Sequence, residues 1–409
     1  MAARTRMTLP PLLPVDDAFR RIVATIETGP VETVPLADAH RRVLARAPAA
    51  RLRSPPADLS AMDGYALKAT DAATVPARLT VVGEAPAGGS YDHALKPGEA
   101  VRIFTGGPLP QGADAIVIQE DTTRDGNVVT VKEAPTAGRH IRRAGLDFDL
   151  GATPIPVGRR LSPNDLALLA AMNIPWLDVH ARPRIAVLAT GNELVLPGEL
   201  VDRNRIVASS GVALAAAIES WGGAATLLPL APDDRDTIRA AIRGAASFDM
   251  LVTLGGASVG DHDLVQACLG DEGYSLDFWR IAMRPGKPLM FATAGERRAL
   301  GLPGNPVSTM ICALLFLKPA IEKRAGLEPT PLSTEPATLA VDLRANDNRE
   351  DYVRATLGRD SSGRAMVTPH KVQDSSMLSV LAASNALLVR PAHDPARKAG
   401  DIVRVARLT

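Results

Sequence analysis

The sequence predicts a multidomain chain: an α/β domain with a mainly parallel sheet, set between two segments rich in β-structure. Three observations carry this. From about 184 to 324, short continuous apolar runs alternate with stretches that have helical character, the pattern of buried strands joined by crossover helices. On either side, apolar and polar residues alternate over short segments, as half-buried strands do. The chain also holds 33 Gly and 33 Pro among 409 residues with only 3% aromatics, scattered too widely for a linker or a collagen, which asks for many turns and short elements. That length accommodates roughly two to four domains of ~100–200 residues.

Near the N-terminus, Val15, Ala18, Phe19, Ile22, Val23 and Ile26 recur at helical spacing and predict an amphipathic helix. From about 30 to 145 the pattern is short and strand-like, as in Leu79–Gly83, Ala100–Thr105 and Ala115–Glu120. The last of these, followed by Arg124-Asp125-Gly126-Asn127 and then Val128–Val131, predicts a hairpin. Ser162-Pro163-Asn164-Asp165 offers an N-cap, a proline at N1 and an acid at N3, so a helix starts there. Arg184–Thr190 is a buried strand. A helix over 208–221, strand 225–230, helix 234–246, strand 249–254, helix 263–269, strands 288–292 and 299–302 and a helix over 306–324 follow. Beyond 330, alternation over 337–343, 352–357, 365–368, 386–390 and 402–408 predicts a small barrel or sandwich.

With 46 Lys+Arg against 45 Asp+Glu the net charge is +1, which argues against a dedicated nucleic-acid binder. Cys268 and Cys312 cannot form a disulfide framework or a thiolate metal site. Prolines 10, 11 and 14 and the pair Asp16–Asp17 interrupt any leader-like apolar stretch, and Met310–Leu317 is far short of a membrane span. A soluble cytoplasmic protein without membrane contact is the expectation.

Ligands of open α/β sheets bind beyond the carboxyl ends of the strands. Three loops fall at such ends: Thr190-Gly191-Asn192-Glu193, Gly255-Gly256-Ala257-Ser258-Val259-Gly260-Asp261-His262-Asp263, and Gly301-Leu302-Pro303-Gly304-Asn305-Pro306-Val307-Ser308, where Asn305 can cap the helix that Pro306 begins. Their glycines let backbone N–H groups approach an anion, so a phosphate-bearing ligand fits all three. Ser258 beside Asp261, His262 and Asp263 does not make a hydrolase triad, since the acids and His share one turn and G-x-S-x-G is absent. The acids suit Mg²⁺, which takes one or two carboxylates and bridges to phosphates. Arg284-Pro285-Gly286-Lys287-Pro288 places two cations three apart on a stiffened chain, able to grip an oxyanion. In the first β-rich block, Ser60-Ala61-Met62-Asp63-Gly64-Tyr65 and Thr105-Gly106-Gly107-Pro108-Leu109-Pro110 taken alone read as tight turns.

Together these segments, with Ser54-Pro55-Pro56, Gly112-Ala113-Asp114-Ala115, Arg142-Arg143-Ala144-Gly145-Leu146-Asp147 and Leu188 to Leu194, give nine motifs in order. They resemble the molybdopterin molybdenumtransferase family, which includes the bacterial MoeA-type proteins and the E domain of gephyrin. The resemblance spans nearly the whole chain. It implies a linking domain of 7–30 with 146–182, a β-rich module at 31–145, a three-layer α/β molybdopterin-binding domain at 183–329 and a C-terminal β-barrel at 330–409. It further implies a homodimer and Mg²⁺-dependent insertion of molybdate into adenylylated molybdopterin, with release of AMP. The molybdopterin adenylyltransferase and molybdoenzyme apo-proteins are implied partners. Matched by motif, Asp63, Thr105, Asp147, Glu193 and Lys287 are the implied catalytic residues. Gly191, Gly255, Gly256, Ser258, Gly260, Arg284, Pro303, Gly304, Asn305, Ser308 and Arg354 bind substrate, and Glu193, Asp261 and Asp263 hold the metal. Asp63 and Thr105 come from the β-rich block, which implies a composite site.

The sequence departs from the family pattern in places. Arg284 stands where Lys is usual, Ala257 where Val is usual, and His262 where Tyr is usual. Asp202-Arg203-Asn204 replaces Asp-Ser-Asn, and Asp374-Ser375-Ser376 replaces a Gly-Ser-Gly-like turn, leaving the ligand contact there open. None of these removes a carboxylate. The protein lacks soft ligands of its own, so the metal enters as the oxyanion and leaves on the sulfurs of the substrate. Two rival readings remain: the adenylyltransferase reaction of the related α/β domain, which needs no flanking β-modules, and a non-enzymatic scaffold.

Overall fold

The computed structural model describes residues 11–256 and 264–408, which form two compact units. Helix α1 (Val15–Ala24) opens the chain and belongs with residues 41–43 and 180 onward; residues 33–40 and 44–179 make the other unit.

The 44–179 unit is built on six strands, β1 (Gly64–Leu67), β2 (Ala77–Ala85), β3 (Glu99–Ile103), β4 (Ala115–Ile118), β5 (Thr122–Asp125) and β6 (Val128–Val131), in the order β4-β1-β3-β2-β6-β5. Its two faces bury separate clusters, one with Leu67, Leu79 and Val129, the other with Val101, Ile103 and Ile116. The hairpin expected around 124–127 exists, but its first strand is β5, not 115–120. Asp125 and Val128 are directly paired. The two-residue loop Gly126-Asn127, with Gly126 at φ +56°, forces the residues touching the turn to pair with each other. β4 instead pairs with β1, because the short turn Gln119–Asp121 separates it from β5. Helix α2 (Pro163–Ala171) starts where the sequence places it: the Ser162 hydroxyl accepts from Asp165 N–H while the Asp165 carboxylate accepts from Ser162 N–H.

In the other unit, six strands form the central sheet: β7 (Arg184–Ala189), β8 (Ala224–Leu227), β9 (Met250–Leu254), β10 (Ser275–Phe278), β12 (Met290–Ala294) and β13 (Arg297–Leu302). Their order is β8-β7-β9-β13-β12-β10; β8 to β13 run parallel and the last two pairings are antiparallel. Along β7, Ile185 and Val187 enter one core cluster while Ala186 and Leu188 enter another, so the strand is buried on both faces. Helices α3 (Ser209–Trp221), α6 (Pro306–Cys312) and α7 (Lys318–Arg324) cover the first face together with α1. Helices α4 (Arg235–Gly244) and α5 (Leu264–Asp271) cover the second. The helix expected over 306–324 is continuous, but Ala313–Leu317 is wound as π-helix just ahead of Pro319. A proline there has no N–H and would meet the carbonyl one α-turn back; the wider turn removes that conflict.

The chain ends in a barrel. The short strand β11 (Met283–Arg284) joins β15 (Glu350–Arg359), which continues through β16 (Ala365–Pro369), β14 (Glu335–Leu339), β18 (Ile402–Arg407) and β17 (Ala386–Arg390). A β15–β17 pairing closes the ring around Leu339, Val367, Leu388 and Val405. Closure leaves those strands no free edges.

Candidate active site

Three loops converge at the carboxyl edge of the parallel strands. After β7, Thr190 N–H donates to Leu254 O (3.1 Å) and Gly191 N–H to Ala231 O (3.1 Å). After β9, Gly255 N–H donates to Leu302 O at the end of β13 (3.2 Å). Gly255 and Gly256 both take positive φ, +90° and +65°, and a Cβ on Gly255 would stand 3.0 Å from Thr190 O. On Gly304 a Cβ would stand 3.6 Å from Gly255 Cα. At Gly191 it would fall 2.5 Å from the Glu193 carboxylate, so that exposed acid lies folded against the glycine backbone. Side chains are kept out where main chain has to come close.

The third loop is braced from below and from the barrel. Thr309 Oγ1 donates to Pro303 O (2.6 Å), while Ser308 is buried in the first turn of α6. Asn305 precedes that helix as expected, yet its side chain does not cap it. Its amide donates to Ser375 Oγ (3.0 Å), and Val307 N–H donates to Ser375 O (3.1 Å). The Asp374-Ser375-Ser376 turn, left open by the sequence, is therefore an anchor for the 303–307 loop. Next to it Arg354 is almost completely buried, giving one N–H to Met377 O (3.2 Å). Burial pulls its pKa down and the nearby Asp374 opposes that.

The two cations of the 284–288 segment differ in their surroundings. Arg284 donates to Asp347 (3.1 Å), to Asn346 Oδ1 (3.0 Å) and to the buried Asp351, and the two carboxylates, Asp351 most of all, hold its pKa above the usual value. Lys287 is half-buried and has no ion pair among the described residues. Its carbonyl accepts from Ile281 and Leu289 N–H (2.9 and 3.2 Å), which holds the loop shape. Gly286 takes φ +113°, with a Cβ there only 2.4 Å from Cys312 Sγ.

In the 44–179 unit, main-chain bonds zip two of the motif segments together: Ser60 N–H to Gly107 O (2.8 Å) and Gly106 N–H to Ser60 O (2.9 Å). This brings Asp63 Oδ1 onto Thr105, accepting from its N–H (2.7 Å) and its hydroxyl (2.8 Å). Those two bonds, the N–H first, hold the Asp63 carboxyl below its ordinary range, with Arg102 helping weakly. Thr105→Val, which keeps the N–H and removes the hydroxyl, is expected to raise the Asp63 pKa toward that of an ordinary aspartate. A carboxyl NMR titration reads this; an unshifted value would oppose it. Because the folded pKa is depressed, the stabilisation these bonds give is present above the ordinary Asp range and lost as pH falls through the depressed value. Asp147 is exposed in the same unit, its N–H bonded to Ser54 O (2.9 Å).

Three family models match in chain order: the MoeA N-terminal region (domain I and II) over residues 13–173, a probable molybdopterin binding domain over 186–323, and the MoeA C-terminal region (domain IV) over 336–408. The molybdopterin molybdenumtransferase of Nostoc sp. is 34% identical over 389 residues, covering 92% of this chain and 88% of the relative. That of Bacillus subtilis is 33% identical over 404 residues, covering 96% and 93%. This chain belongs to the molybdopterin molybdenumtransferase family. Its structure is similar to that of the molybdopterin biosynthesis moeA protein from Pyrococcus horikoshii OT3, with a TM-score of 0.83 at 28% identity over 97% of this chain and 100% of the other.

Of the residues that the family resemblance names, the structure joins Asp63 to Thr105 and gathers Gly191, Glu193, Gly255, Gly256, Pro303, Gly304, Asn305 and Ser308 at one sheet edge. Ser258, Gly260, Asp261 and Asp263 lie outside the described residues, as do Ala257 and His262. Of the expected metal set only Glu193 is described, and among the described residues no cluster of three or more His, Cys, Asp or Glu could hold a metal ion. Asn346, Asp347 and Asp351, which occupy Arg284, were missed. The available signal was Asp351, an acid next to Tyr352 at the start of an otherwise alternating strand. No described helix is long and apolar enough to cross a membrane.

Proposed function

We infer that this chain performs the reaction of its family: insertion of molybdate into adenylylated molybdopterin, with release of AMP and formation of molybdenum cofactor. The convergence of three glycine-bearing loops at the carboxyl edge of the sheet is the observation that carries the reading, because main chain bare of side chains there lets a pyrophosphate approach closely. In this reading Gly191, Gly255, Gly256, Pro303, Gly304 and Asn305, with Ser258 and Gly260, receive the substrate. Lys287 stabilises charge on the transferring or entering oxyanion. Ser308 and Arg354 contact ligand from the helix and barrel sides, while Asp63, Thr105 and Asp147 complete the catalytic set. Arg284 sits among carboxylates and contributes by shaping the 284–288 loop.

Glu193 with Asp261 and Asp263 would hold Mg²⁺, a hard cation that accepts few carboxylates. Bound there, it would supply Lewis-acid stabilisation of the phosphoanhydride leaving group. The domain division at 31–145, 183–329 and 330–409, with 7–30 and 146–182 as a linking domain, belongs to the same proposal. So do a cytoplasmic location and hand-over contacts with the adenylyltransferase and molybdoenzyme apo-proteins.

A homodimer is supported by exposed apolar residues close together in the sequence: Leu196, Leu200, Val201 and Ile206 are 51%, 93%, 53% and 57% exposed, and a second copy would bury them. A Leu200→Asp variant is expected to sediment as a smaller species than the parent; identical sedimentation would oppose the dimer. The decisive assay for function is AMP release from adenylylated molybdopterin. Release that depends on molybdate is expected, whereas production of adenylylated molybdopterin from ATP would favour the adenylyltransferase reading.

A further inference from the structure

A cavity of about 340 Å³ opens at the amino-terminal edge of the central sheet, opposite the loops of the candidate active site. Strands β7 and β9 begin there and run five to six residues to the loops described above, which places the two edges on the order of 20 Å apart.

The register sets its character. Ile185 pairs with Met250 and Leu251 with Ala299, so one step back from the first pair and two from the second, Arg184, Asp249 and Arg297 stand level across three neighbouring strands. Arg184 and Arg297 are then two strand spacings apart, about 10 Å at the backbone, and both line the cavity. Both are oriented on aromatic rings of the same core layer: the Arg184 guanidinium lies 5.9 Å from Phe248 and that of Arg297 lies 5.0 Å from Tyr274. Each gives one N–H to a main-chain carbonyl, Ser247 O and Glu272 O, and neither side chain has an ion pair among the described residues.

Asp249 between them does not neutralise them. Its Oδ1 accepts from Arg324 Nε and Nη2 (3.0 and 2.8 Å), and its Oδ2 accepts from the Arg184 main-chain N–H (2.7 Å). Two further carboxylates, Glu27 and Glu296, line the cavity without an ion pair among the described residues. They can only accept hydrogen bonds when ionised. Among the described residues the cavity thus presents two guanidinium groups without a carboxylate partner and two carboxylates without a cation. Its volume falls at the lower end of small-ligand pockets, about 300–1,000 Å³, larger than a bare phosphate needs.

We propose that this cavity binds a small phosphomonoester whose organic part carries hydroxyl groups. The phosphate lies between Arg184 and Arg297, matched by their bidentate forks, and the hydroxyls donate to Glu27 and Glu296. Titration calorimetry of the full chain with ribose 5-phosphate and with inorganic phosphate tests this. Saturable binding of ribose 5-phosphate is expected, weakened on the order of tenfold or more in Arg184→Gln/Arg297→Gln, with molybdate-dependent AMP release unchanged. Arg297→Lys alone, which keeps the charge and loses the fork, is expected to bind with intermediate strength and so separates loss of the site from loss of the fold. Glu27→Gln/Glu296→Gln is expected to bring ribose 5-phosphate down to the affinity of inorganic phosphate. The proposal is overturned if ribose 5-phosphate gives no saturable heat. It is equally overturned if binding survives the arginine changes and disappears in Lys287→Ala, which would put the ligand at the other edge. Equal affinity for the two probes in the parent chain would overturn the hydroxyl contacts.

Discussion

Lys287→Ala is expected to lower the rate of molybdate-dependent AMP release by on the order of 10²–10³, the usual consequence of removing one preorganised group that stabilises developing charge. Lys287 is the cation to test because its ammonium has no ion pair among the described residues, in a loop whose shape is held by main-chain bonds to Ile281 and Leu289. Its removal should therefore leave the loop and the melting temperature in place. Arg284 makes the contrast. Its guanidinium is already engaged by Asp347, Asn346 and Asp351, so Arg284→Lys, which keeps the charge beside the buried Asp351, should reduce the rate far less. Arg284→Ala would leave Asp351 buried without its cation, which is costly, and should show first as lower stability. Single-turnover AMP release by the three variants, each with its thermal melt, decides between these roles. A Lys287→Ala enzyme within a few-fold of the parent, or an Arg284→Lys enzyme impaired as deeply as Lys287→Ala, would reverse the assignment.

What the sequence could reveal depended on how local the physics was. The capping box at Ser162 and Asp165 lies within four residues, so its pattern is complete in the chain itself. Strand β7 was visible because burial on both faces demands an uninterrupted apolar run. The hairpin at Gly126 was placed correctly and its first strand was not. Thr122–Asp125 is polar and exposed beyond its first residue, so only the geometry of the turn, not hydrophobicity, marks it as a strand. Asn305 has the composition of an N-cap, but a partner seventy residues away takes its amide. Arg284 is the sharpest case: two cations three apart suggest an anion site, and only folding brings Asp347 and Asp351 from the barrel onto one of them. The Asp63 and Thr105 motifs were recognisable separately, whereas their hydrogen bond across 42 positions is a product of the fold.

That bond also locates the most fragile glycine in the 44–179 unit. Gly64 follows Asp63 and opens β1, paired with Ile103 on one side and Ile118 on the other. A Cβ on Gly64 would stand 2.0 Å from Val117 O and 2.9 Å from Ile118 Cα, both main-chain atoms of β4. No rotamer change relieves such a contact, so β1 and β4 would have to separate where the motif begins. Gly64→Ala is expected to cost at least ~3 kcal/mol, the upper end of ordinary overpacking. The loss should be local before it is global. Hydrogen exchange at 64–67 and 115–118 should accelerate strongly, while the closed barrel at 335–407, in the other unit, keeps its protection. Activity should fall with it, since Asp63 would lose the fixed approach to Thr105 on which its depressed pKa depends. Parent-like protection of both strands in the variant would mean that β4 can yield at Val117, and the requirement for glycine at this position would then have to come from the substrate rather than from the sheet.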